Sequence, residues 1–193
     1  MKNICVFCGS NHGLNFQYTL EAKSMGLQLV KNDYRLVYGG GSVGLMGEIA
    51  DAILEEGGEV IGVIPEFLAE KEVDHKGITK MYIVHSMHER KEKMAELSDA
   101  FIAMPGGFGT FEELFEILTW AQLGLVNKPI GLFNVNGYYD SLINMLKTMV
   151  IEGFLKQENM DLLVVDNDSV KLIHKLKGYK RSKTTKWLNK DQT

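Results

Sequence analysis

The chain has 193 residues, 45% of them hydrophobic and 24% charged, which fits one compact domain with a sizeable core. The net charge of −4 argues against general nucleic-acid affinity. No apolar run is long enough to span a bilayer, which argues against a membrane partner.

Lys2 to Cys8 reads as a first strand. It follows Met1 directly and is too short and strand-like for a signal peptide, so a soluble cytoplasmic protein is expected. The pair Cys5-Val6-Phe7-Cys8 has the spacing of a redox motif. Such pairs sit at a helix start, however, whereas residues three apart on a strand point to opposite faces. Two buried structural thiols are the better reading.

A turn-rich loop, Gly9-Ser10-Asn11-His12-Gly13, leads to a helix from about Phe16 to Lys31. Tyr34 to Tyr38 is a second strand, Gly39 to Gly44 a glycine loop, and Leu45 to Glu56 a helix closed by Gly57-Gly58. Glu59 to Ile64 is a third strand, stopped by Pro65, and Glu66 to Thr79 a long polar loop. Met81 to Val84 is a fourth strand, and Ser86-Met87-His88-Glu89 a capping box that opens a helix to about Leu97. Ala100 to Met104 is a fifth strand, with a helix from Phe111 to about Leu123 after the next glycine loop. Pro129 to Phe133, a helix from about Tyr138 to Glu152, Leu162 to Val165 and a helix near Ser169 to Leu176 complete the series.

Strands and helices alternate throughout, which predicts an α/β domain with a mostly parallel sheet covered on both faces. Residues 1–179 read as that single domain. Residues 180–193 read as a basic, polar tail, a loose or partner-packed end. Ligands of such sheets bind beyond the carboxyl ends of the strands. Three glycine loops fall there: Gly9-Ser10, Gly39 to Gly44 and Gly106 to Gly109.

The last of these is the most informative. Pro105-Gly106-Gly107-Phe108-Gly109-Thr110-Phe111-Glu112-Glu113 joins an apolar strand to a helix. Backbone N–H groups lie open at such a junction and the helix dipole is positive, which suits a phosphate. Thr110 and Glu113 have the spacing of a capping box. The same spacing also allows Glu113 to face a ligand held by the glycines.

Gly39-x-Gly41-x-x-Gly44 matches the dinucleotide fingerprint. The next strand nevertheless ends in Ile64-Pro65 rather than in an acidic residue, which disfavours NAD. A phosphate-binding turn including Gly40 and Gly41, or a purely structural turn, fits better. Arg90 and Lys91 fall early in the helix capped by Ser86, where cations oppose the dipole, and look placed for an anionic substrate. Their alternative is a solvated face. His85 and His88 lack a third ligand nearby and do not make a metal site.

Taken together, these blocks resemble the Lonely Guy family of cytokinin-activating phosphoribohydrolases, some of whose members have been labelled lysine decarboxylases. The run Pro105 to Glu113 matches the PGGxGTxxE signature, Met87-His88-Glu89-Arg90-Lys91 its upstream companion, Gly39 to Gly47 a third block and Cys8-Gly9-Ser10 a fourth. The resemblance covers about residues 2 to 178. It implies a Rossmann-like fold, a homodimer, and hydrolysis of the N-glycosidic bond of adenosine 5′-monophosphates, including N6-modified ones, with no metal or redox cofactor. It implies catalytic roles for Arg90 and Glu113. It implies substrate contacts from Lys91, Gly107, Phe108, Gly109, Thr110, Phe111, Glu112 and Thr119, and by spacing from Glu72, with Gly9, Ser10, Gly40 and Gly41 completing the loops. No lysine motif for pyridoxal phosphate accompanies the decarboxylase label. A non-enzymatic carrier of a phosphorylated or pterin-type ligand is the alternative.

Overall fold

A computed structural model describes residues 1–69 and 74–180. Seven strands form one parallel sheet in the order β4-β3-β2-β1-β5-β6-β7. They are β1 (Asn3–Phe7), β2 (Arg35–Tyr38), β3 (Val60–Pro65), β4 (Lys80–Val84), β5 (Ala100–Ala103), β6 (Ile130–Phe133) and β7 (Leu163–Asp166). Runs such as Ile4-Cys5-Val6-Phe7 and Ala100-Phe101-Ile102-Ala103 are apolar on both faces, because helices cover both sides of a parallel sheet.

The two faces share out alternate residues. Ile4, Val6 and Cys8 pack with Met25 and Leu29 of α1 (Gln17–Lys31), Ile49 and Ile53 of α2 (Gly44–Glu55), and Leu172 and Ile173 of α8 (Ser169–Lys177). Cys5 and Phe7 pack with Met94 of α4 (Met87–Leu97), Leu114 and Ile117 of α5 (Phe108–Leu123), and Tyr139 just before α6 (Asp140–Ile151). The two cysteines therefore sit in different halves of the core as free thiols, and burial pushes both well above their usual pKa.

Two short helices depart from the sequence expectation. Glu66 to Ala69 forms α3 rather than the start of a loop, and Gln157 to Met160 forms α7. A single turn is too short for a hydrophobic period to reveal. β3 does end at Pro65, which the strand includes and which is in register with Val84 of β4. The tail beyond Lys180 lies outside the described residues.

Strand order places the site. The chain runs from β1 outward to β4, then returns to lay β5 on the other side of β1. That reversal opens a crevice between the carboxyl ends of β1 and β5. Phe7 is in register with Ala103. The Met104 N–H donates to the Phe7 carbonyl at 2.8 Å, and the Gly9 N–H to the Pro105 carbonyl at 3.0 Å. Two of the three glycine loops thus leave the sheet side by side. Among the described residues no helix is long and apolar enough to cross a membrane.

Candidate active site

The anticipated capping box at Thr110 does not form. Helix α5 begins at Phe108, with Gly107 as a cap that offers no side-chain bond. Thr110 is buried in the first turn, packed against Gly106. A Cβ on Gly106 would lie 2.1 Å from the Thr110 Oγ1 and 2.8 Å from the Gly9 nitrogen, so only glycine lets the two loops meet. The loop is braced from outside by two tyrosines: Tyr138 donates to the Gly106 carbonyl and Tyr139 to the Met104 carbonyl, each at 2.6 Å. The first turn of α5 is left as an uncapped, positively polarised helix end on the cleft.

The box at Ser86 does form, with one shift. The Ser86 Oγ accepts from the Glu89 N–H at 3.1 Å, and the Glu89 carboxylate accepts from the His85 N–H at 2.8 Å. This starts α4 so that Arg90 points inward. The Arg90 Nε donates to the Val63 carbonyl at 3.2 Å, and Nη1 lies 3.8 Å from the Met87 sulfur. Nη2 lies 3.7 Å from the Glu113 Oε1, an ion pair rather than a hydrogen bond. The two side chains are only 12% and 10% exposed.

Burial pushes the Glu113 carboxyl up from its ordinary value. Arg90 opposes that rise and the neighbouring Glu112 adds to it, leaving the pKa at about 7. A carboxyl that gains and loses its proton near neutrality, facing a fixed cation, suits acid–base chemistry.

Both groups open onto a cleft of about 520 Å³. Of the residues expected there, Gly9, Ser10, Gly41, Arg90, Gly107, Phe108, Gly109, Thr110 and Glu113 line it. Others lie elsewhere. Gly40 backs onto Met81 and Ile64. The Phe111 ring packs 5.6 Å from that of Tyr139. Lys91 turns away to bridge Glu112 and Glu116. Thr119 bonds the Phe115 carbonyl at 2.7 Å, beside an apolar groove with Leu118 and Leu146. Glu72 lies outside the described residues. Val43, Met46, Ile64 and Leu68 form an apolar wall of the cleft that sequence reasoning missed. Nothing in their residue types separates them from ordinary core. Among the described residues no group of three or more His, Cys, Asp and Glu side chains is placed to hold a metal.

Comparison with known proteins agrees with the motifs. A family model described as "possible lysine decarboxylase" matches residues 46–176. A probable cytokinin riboside 5′-monophosphate phosphoribohydrolase of Oryza sativa subsp. japonica is 49% identical over 178 residues, 92% of this chain and 78% of the relative. The cytokinin riboside 5′-monophosphate phosphoribohydrolase of Rhodococcoides fascians is 49% identical over 168 residues, 86% of this chain and 85% of the relative. Among solved structures, the Moco carrier protein of Chlamydomonas reinhardtii superposes with a TM-score of 0.69 over 92% of this chain and 96% of the carrier. It is 21% identical, a likeness of fold alone. With its signature blocks gathered at one sheet edge and its relatives near half identity, the chain belongs to the Lonely Guy family.

Proposed function

We propose that the protein hydrolyses the N-glycosidic bond of adenosine 5′-monophosphates, N6-modified ones included, to free base and ribose 5-phosphate. The observation that carries this is the Arg90–Glu113 pair, 3.7 Å apart, beside the uncapped start of α5 in one cleft. The names of the relatives near half identity point to the same reaction, whereas the likeness to a cofactor carrier rests on fold alone.

The cleft divides chemically into three parts. Its helix end, with Gly107 to Thr110 and Ser10, suits a 5′-phosphate. Its centre holds Arg90 and Glu113. Its apolar lining of Val43, Met46, Ile64 and Leu68 suits a purine and an apolar N6 group. As the C1′–N9 bond breaks, its electron pair leaves with the base and positive charge builds on the ribose ring. Glu113 as carboxylate stabilises that charge and takes a proton from the water that adds to C1′. Arg90 hydrogen-bonds the departing base, placing charge rather than donating a proton. The base acquires its proton in exchange, so none is consumed overall. The loops carrying Gly9, Gly40 and Gly41 shape the floor. A cytoplasmic homodimer is part of this reading. Its interface is the helix face bearing Phe115, Leu118 and Thr119, beside Leu146 and Met149.

The test is chromatography of the base released from AMP and from isopentenyladenosine 5′-monophosphate, against the unphosphorylated nucleosides. Release from the monophosphates alone is expected. No release from any nucleotide overturns the reading.

A further inference from the structure

Lys91 directly follows Arg90 in the chain but does a different job. Its ammonium lies half-buried between the carboxylates of Glu112 and Glu116, with the Glu116 oxygen at 2.9 Å. It lines a small crevice with Ala95, Ile117 and Trp120, not the cleft. Helices α4 and α5 meet through side chains: Met94 of α4 shares a core cluster with Leu114 and Ile117 of α5, and charged side chains bridge the two helices. Two such bridges run in parallel. The inner one is Arg90 to Glu113. The outer one is Lys91 to Glu112 and Glu116. Each inner residue is the chain neighbour of an outer one, about 100° round its helix. The inner pair is loose, at 3.7 Å and without a hydrogen bond, and cannot hold the helices in register by itself.

We propose that Lys91 is a positioning residue: it clamps α4 to α5 through Glu112 and Glu116, and so sets Arg90 opposite Glu113. The proposal rests on the reaction proposed above and adds a role for a lysine that the resemblance places on the substrate.

The clamp is tested with Lys91→Met, the double variant Glu112→Gln/Glu116→Gln, and their combination, assayed on AMP beside the wild type. Either end of the clamp, once removed, is expected to lower kcat about 10- to 100-fold through misplacement. The KM is expected to stay within about twofold, since no substrate contact is lost. The triple variant is expected to be no worse than either parent, and Lys91→Arg to recover most of the rate. A substrate-binding lysine would instead show a raised KM in Lys91→Met and full kcat in the carboxylate variant, and that result overturns the clamp. Crystal structures of the wild type and Lys91→Met read the same claim without turnover. Separation of Arg90 Nη2 from Glu113 beyond the roughly 4 Å of an ion pair is expected in the variant, and an unchanged pair overturns the clamp. A wild type that releases no base overturns the reaction alone, and the structures still decide the clamp.

Discussion

Gly39 and Arg90 are fitted to each other: a Cβ on Gly39 would lie 1.9 Å from the Arg90 Nη2. The glycine loop after β2 therefore leaves room for a cation that arrives from α4. The obstacle is the far end of a flexible side chain, so Gly39→Ala is expected to fold with near-normal thermal stability. The guanidinium must move off its seat against the Val63 carbonyl and Glu113. A displaced catalytic group costs roughly 100-fold in rate. Melting temperature and kcat on AMP measured together check this, and a variant with full activity would show that Arg90 need not sit where it does.

Glu113 carries the pH dependence. With a pKa of about 7 set chiefly by burial, and a role as carboxylate, kcat/KM is expected to rise as pH increases through about 7. Glu113→Gln is expected to remain folded and lose roughly 100- to 10,000-fold in rate. Stability runs the other way. The folded pKa lies above the unfolded value, so this group's contribution is complete below about 4.5 and is lost as pH rises through about 7. The loss is on the order of 3 kcal/mol. Thermal unfolding at pH 5 and pH 8 is expected to show a smaller pH effect in Glu113→Gln than in the wild type.

The three glycines of the signature loop answer to different constraints, and alanine separates them. Gly106 is wedged against Thr110 and the Gly9 backbone, so Gly106→Ala is expected to cost about 1–3 kcal/mol of stability. At Gly107 and Gly109 an added Cβ would meet nothing within 4 Å, so the fold does not require glycine there on steric grounds. Alanine at either is expected to leave unfolding unchanged and to raise KM for monophosphates, because the methyl group meets the phosphate instead. Equal loss of stability at all three positions would remove the distinction.

These residues also show what the sequence made legible. Apolar runs marked the seven strands, most clearly the buried central ones such as β1 and β5, which are apolar on both faces and lead into glycine loops. The junction from Ala103 to Phe108 was readable for the same reason. The direction of Glu113 was not. Thr110-x-x-Glu113 fits a cap and a cleft equally well, and what distinguishes them is Arg90, which reaches Glu113 from another part of the chain. Arg90 and Lys91 read alike as cations near a helix start, yet one step round the helix sends one to the cleft and the other to Glu112 and Glu116. Met46 and Ile64 carry no mark that separates a cleft wall from core. Only strand order brings them to the crevice.

That apolar wall makes the last prediction. Leu68 on α3 lines the cleft with Ile64, Met46 and Val43. If the base lies along it, an N6 side chain has apolar surface to cover and AMP does not. Narrowing the wall with Leu68→Phe should then penalise the bulkier substrate selectively. A hydrophobic pocket discriminates by about 1–3 kcal/mol for a misfit of methylene size. The ratio of kcat/KM for isopentenyladenosine 5′-monophosphate over AMP is therefore expected to fall by roughly tenfold or more in the variant. The rate on AMP should change little, because Arg90, Glu113 and the glycine loop are untouched. Equal falls for both substrates would mean that Leu68 supports the cleft without touching the N6 group, and the base would then have to lie along another wall.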